Sequence, residues 1–115
     1  MTFKGDPRDV AHKAALDTLL LKIRGVEAGD MTGLAAYFVG KRMFACICNG
    51  AVGVRVPAAE AANLQFSMSN VEPFQPKGMP ATREWIQINR DNPADYEKDL
   101  AIFQRSIEFV RSAGR

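Results

Sequence analysis

Between Leu34 and Val56 the chain reads LAAYFVGKRMFACICNGAVGVRV, apolar at nearly every position and broken only at Gly40-Lys41 and Asn49-Gly50. Strand-length apolar pieces joined by two-residue turns predict antiparallel hairpins. The turns set the register, and opposed residues share one side of a sheet. With Asn49-Gly50 as a loop, Cys48 opposes Ala51, Ile47 opposes Val52 and Ala45 opposes Val54. With Gly40-Lys41 as a loop, Phe38 opposes Met43, Ala36 opposes Ala45 and Leu34 opposes Ile47. One face then carries Leu34, Ala36, Phe38, Met43, Ala45, Ile47, Val52, Val54 and Val56, and is the expected core. The other carries Ala35, Tyr37, Val39, Phe44, Cys46, Cys48, Ala51, Gly53 and Arg55, with one charge among them. A sheet with a wet second face alternates apolar with polar residues. This one does not, so a cover is expected: a helix, the Ser67–Pro80 segment, or another protein chain.

Helical spacing brackets the sheet. Leu16, Leu19, Leu20 and Ile23 mark one apolar face of a helix predicted over Pro7–Arg24, with Asp6 as its cap and Gly25 as its stop. Glu27–Gly33 is polar and reads as a connection. Pro57 stops the third strand, and AAEAANL predicts a short helix over Ala58–Leu64. Pro73, Pro76 and Pro80 make Ser67–Pro80 irregular, with a short extended piece near Pro73–Gln75 that can pair with a sheet edge. Arg83–Ile88 alternates and is the next strand. Asn92 caps a last helix with Pro93 in its first position; Tyr96, Leu100, Phe103, Ile107 and Val110 form its stripe, and Gly114 follows it. The expectation is one α+β domain over residues 1–115. Its antiparallel sheet has four to five strands, the Leu34–Val56 meander plus Arg83–Ile88, packed with an N-terminal helix, a short middle helix and a long C-terminal helix.

Composition narrows the function classes. A net charge of +2 on 115 residues is too small to argue for nucleic-acid or anionic-membrane binding. No apolar run approaches the ~20 residues that span a bilayer, and the polar start MTFKGDPRD is unlike a signal peptide. No export signal is expected from this start, and on that expectation the two cysteines fit a reduced, cytoplasmic setting.

Few residues point to chemistry. Cys46 and Cys48 face the same way on a strand, about 6.5–7 Å apart at Cα, the limit of disulfide geometry. A zinc site needs about four ligands, and the one histidine, His12, lies in the first helix. Packing is therefore the expected role of the cysteines, and a solvated helix position that of His12. Lys41 and Arg42 read as solvated turn-tip charges. The glycines assemble no phosphate-cradling spacing. Arg55 is the position most in need of a partner, being a lone charge on an apolar face. Trp85 is expected in the core or as an interface anchor. No catalytic, metal or cofactor residues are predicted; the expected partner or ligand contacts are Arg55, Tyr37, Phe44, Arg83 and Trp85.

Met31, Gly33, Gly40-Lys41, Met43-Phe44-Ala45, and Arg55 followed by Pro57 occur in an order that resembles the TfoX N-terminal-domain family. The later EPFQPKGMPATREWIQI resembles that family's phenylalanine-proline segment, glycine turn and aromatic strand. The resemblance covers Glu27 to Ser112; Thr32 replaces a usual Phe, and Asn89 stands where a proline is common. It implies an α+β fold and a bacterial origin, and offers no catalytic residues. The family's competence regulator has a second, C-terminal domain for which this chain is expected to have no room, so that role is not carried over. The leading expectation is a non-catalytic protein-interaction or regulatory module, partnered by a second copy of itself as a homodimer or by another protein. The alternatives are a small-ligand binder or unrecognised enzyme using Arg55, Arg83 and Glu84, and a transcription-related regulator.

Overall fold

The computed structural model describes residues 7–31, 33–48, 50–74 and 83–113. The expected Asp6 cap, Asn49, the Gln75–Pro80 stretch and Gly114 lie outside them. The elements are α1 (Pro7–Leu20), β1 (Val26–Met31), β2 (Leu34–Val39), β3 (Arg42–Cys48), β4 (Ala51–Arg55), α2 (Ala58–Ser67), β5 (Val71–Pro73), β6 (Trp85–Asn89), a 3-10 helix (Pro93–Asp99) and α3 (Leu100–Ala113). The fold is α+β: six antiparallel strands form one open sheet in the order β1-β2-β3-β4-β6-β5. On one face, Tyr37, Ile47, Val52, Val54, Ile86 and Ile88 share a core with Leu16 and Leu20 of α1 and Phe103, Ile107 and Val110 of α3. Among the described residues no helix is long and apolar enough to cross a membrane.

Several expectations are corrected. Helix α1 ends at Leu20, not Arg24. The chain tightens there, with Ile23 N donating to Leu20 O at 3.0 Å, and reverses at Gly25, whose φ is +88°. A Cβ on Gly25 would meet Nη2 of Arg111 at 2.8 Å, and that nitrogen donates to Arg24 O. The Glu27–Gly33 connection is largely strand β1, a polar sheet edge paired with β2 from Val26↔Val39 to Met31↔Leu34. An edge strand outside the core needs no apolar face, and charges there discourage further pairing. Helix α2 runs on to Ser67. The last helix begins as 3-10: Asn92 Oδ1 accepts from Ala94 N at 3.1 Å, and the α-helix starts only at Leu100. Residues Val71–Pro73 make β5, the sixth strand, on the free edge of β6.

The most consequential correction concerns β2. The Gly40-Lys41 turn is as short as predicted: both residues are left-handed (φ +57° and +66°), and Val39 pairs with Arg42. Phe38 also pairs with Met43. Next, however, Tyr37 pairs with Ala45 and Ala36 with Cys46, so Phe44 is an extra residue on β3. A bulge of this kind exchanges the faces of everything beyond it. Ala35, Tyr37 and Val39 join the core instead of Leu34, Ala36 and Phe38, Met43 is likewise outside it, and Phe44 is swung into the core beside Ala45. The hydroxyl of buried Ser106 on α3 donates to the Phe44 carbonyl at 3.3 Å, a partner for a backbone group at the disrupted ladder.

Candidate functional site

The five sequence-predicted contact residues part company. Tyr37 and Phe44 are fully buried in the core and present no surface to a partner. Tyr37 Oη donates to Asp17 Oδ1 at 2.6 Å, and Lys13 Nζ holds Asp17 Oδ2 at 2.7 Å, anchoring α1 to β2. Burial, then the hydrogen bond and negative charge of Asp17, push the Tyr37 phenol far above its ordinary range.

Arg55, Arg83 and Trp85 gather at the other end of the sheet. Arg55 and Trp85 are cross-strand neighbours in β4 and β6. The lone charge has its partner at the start of the neighbouring strand: Arg55 Nε and Nη2 donate to Glu84 Oε1, just ahead of β6, at 3.2 and 2.8 Å. The guanidinium also lies 5.4 Å from the ring centroid of Phe109, within cation–π reach.

The second sheet face is covered within the chain. Gly29, Ala36, Cys46, Gly53 and Gln87 form a row across the strands, small at four of five places. Aromatic rings lie on its glycines. A Cβ on Gly29 would come within 2.8 Å of the Phe38 ring, and the Phe74 ring occupies the space a Cβ on Gly53 would need. Phe74 then meets Trp85 edge-on, with centroids 6.0 Å apart, leaving Trp85 only 2% exposed. Ala36, Cys46 and Ala51 are buried as well. The unusual apolarity of this face thus has a cover that needs no second copy. Burial, then the neighbouring Cys48 thiol, pushes the Cys46 thiol up to about 12.

Beside this cover is a cleft of about 560 Å³. Ala58, Ala59, Ala62 and Gln65 of α2 form one wall, and Pro73, Phe74, Arg83 and Trp85 the other. Phe66, on the last turn of α2, is 92% exposed. The arrangement can take up an apolar side chain with a guanidinium at hand. Phe74 and Phe66 were not identified as site residues from sequence. Phe74 falls in a proline-rich stretch without periodicity, and an exposed phenylalanine looks like a core residue until its helix is oriented.

A second cluster was missed altogether. His12, expected in solvent, is buried: Nδ1 lies 2.7 Å from Tyr96 Oη. Asp9, one turn earlier, is also buried and accepts from Gly50 N. Arg90 grips buried Asp99 through Nε and Nη2 at 3.0 and 2.7 Å. Burial, then the charges of Asp99 and Asp9, raise the Tyr96 phenol well above its ordinary value, so it stays protonated. A hollow of about 190 Å³, lined in part by His12, Gly50, Arg90 and Asp91, adjoins the cluster. The available signal was position: Asp9 and His12 continue the Leu16–Leu20 stripe backwards at helical spacing. Among the described residues no three His, Cys, Asp or Glu side chains are placed to hold a metal ion.

The chain matches no family model, no curated protein and no solved structure.

Proposed function

We propose that the chain is a non-catalytic protein-interaction or regulatory module, of the kind the TfoX N-terminal-domain resemblance implies, and that the α2–Phe74–Trp85 cleft is its contact surface. One observation carries the reading. An apolar cleft, backed by the sheet, opens beside a phenylalanine that the fold leaves in water. Large exposed apolar patches mark interaction sites more often than isolated surface residues do. Its wall is braced on β4 and β6 by the Arg55–Glu84 pair, so little ordering is required on binding. The free thiols of Cys46 and Cys48 suit a reducing, cytoplasmic setting, which belongs to the same reading.

Peptide selection on the immobilised protein, followed by amide chemical-shift mapping, tests it. Selected peptides should perturb α2, Phe74 and Trp85, and Ala62→Glu should abolish their binding. Peptides that map elsewhere, or that bind the variant unchanged, overturn the assignment.

A second reading, small-ligand binding or catalysis, is favoured by the hollow beside His12, Tyr96 and Arg90. A metabolite screen followed by thermal shift separates the two. Under the first reading no compound stabilises the protein through this hollow; a stabilisation lost in Arg90→Lys establishes the second.

A further inference from the structure

The charges around the cleft differ in availability. Arg55 is held by Glu84. Arg83 is exposed, lines the cleft, and has no ion-pair partner among the described residues. It is the only charged side chain among the described lining residues; the rest is methyl groups of α2, the rings of Pro73, Phe74 and Trp85, and one amide. Positions 59, 62 and 66 recur at helical spacing, so Phe66 prolongs the alanine face beyond the cleft rim. Burying that face is favourable. A guanidinium beside an apolar wall prefers a carboxylate, because a charge-assisted hydrogen bond strengthens where water is partly excluded.

We propose that the cleft and Phe66 together dock a short acidic–apolar peptide segment of another protein. An aliphatic or aromatic side chain enters beside Phe74, and an adjacent Asp or Glu pairs with Arg83. The proposal rests on the interaction-module reading and adds the chemistry of the partner. Among the described lining residues one guanidinium answers one carboxylate, whereas a nucleic-acid backbone is bound by a series of cations. Trp85 is turned edge-on to Phe74 and almost wholly buried, so it serves as a wall and not as a platform on which a base could stack.

Trp85 is the only tryptophan, so its emission reports occupancy directly. The probes are capped hexapeptides with a Leu-Phe centre flanked by Glu, by Gln or by Lys. The Glu peptide should shift the emission saturably, and the Gln peptide should bind about tenfold more weakly. The Lys peptide should be weakest. Arg83→Gln should level the series, Arg83→Glu should invert it, and Phe66→Ser should weaken all three alike; both positions are exposed, and circular dichroism confirms that the variants fold. Equal binding of the Glu and Gln peptides overturns the acidic assignment and leaves the apolar cleft standing. No response to any peptide at millimolar concentration overturns both. A response to oligothymidylate in their place, or self-association that alters Trp85 emission, assigns the cleft to another occupant and overturns the proposal.

Discussion

Asp99 keeps 1% of its surface in water, and its carboxylate is gripped at both oxygens by one guanidinium. Cutting away one member of such a pair leaves a charge buried without compensation, which costs about 3–5 kcal/mol. Arg90→Ala should therefore lower the unfolding free energy by roughly 3 kcal/mol, whereas removing the exposed Arg105, paired with Glu60 at the surface, should leave it nearly unchanged. Urea denaturation at neutral pH compares the two. Cys46 gives a pH dependence of definite sign. Below pH 9 its thiol is protonated in folded and unfolded chains alike; above it the unfolded chain releases the proton while the folded chain holds it up to about 12. Stability must then fall as pH rises through this window, by up to about 1.4 kcal/mol per pH unit for the one group. The raised phenols of Tyr37 and Tyr96 act in the same direction from above pH 10. Urea midpoints taken across the window should decline less steeply in Cys46→Ala than in the parent. At this scale the sequence was a fair guide to apolar residues and a poor one to polar ones. His12 and Asp9 are buried because α1 brings that part of its stripe against Tyr96 and the Gly50 turn, a neighbourhood assembled from segments about 40 and 80 residues away.

Among the elements, the pairing of β3 with β4 follows directly from the pattern: Cys48↔Ala51, Ile47↔Val52 and Ala45↔Val54 are all present. The pairing of β2 with β3 matches the pattern only next to the turn. Its bulge leaves no mark in a stretch where both faces are apolar, because either face can be buried with similar gain. What selects the bulge is tertiary: Tyr37 reaches Asp17, and Ser106 supplies a donor to the Phe44 carbonyl. The Gly53–Phe74 contact makes a sharp prediction at this scale. Gly53→Ala places a methyl group where the Phe74 ring lies. The ring must shift, at a cost of about 1–3 kcal/mol, and Trp85 loses part of its cover. A lower thermal midpoint together with red-shifted Trp85 emission is expected; unchanged emission would show that Phe74 does not shield the indole.

For the molecule as a whole, the covered second face bears on association. An apolar sheet face in want of a cover is what would favour a homodimer. Phe74 over Gly53, Phe38 over Gly29, and the burial of Ala36, Cys46, Ala51 and Trp85 remove that premise. Of the two sheet edges, β1 carries Glu27 and Asp30, so two copies meeting there would oppose like charges, and β5 is three residues long, carries Glu72 and ends in Pro73. Light scattering at micromolar concentration should accordingly report a monomer. A dimer that dissociates in Phe66→Ser would instead make a second copy the occupant of the cleft.

The sequence by itself determined the elements whose causes are local. Gly40-Lys41 supplied a left-handed turn, Asn92 and Pro93 a helix start, and stripes of apolar residues the buried sides of α1 and α3. The consecutive order β2-β3-β4 could be read from the same turn-and-strand pattern, whereas β1 and the place of β6 beside β4 could not. Only the tertiary structure decided which face of β2 is inside, what Arg55 pairs with, and which polar residues are buried. It also decided that Phe66 stays in water beside a cleft. Each of these depends on groups distant in sequence competing for one site, and such a competition is settled by packing and hydrogen bonding in the assembled fold.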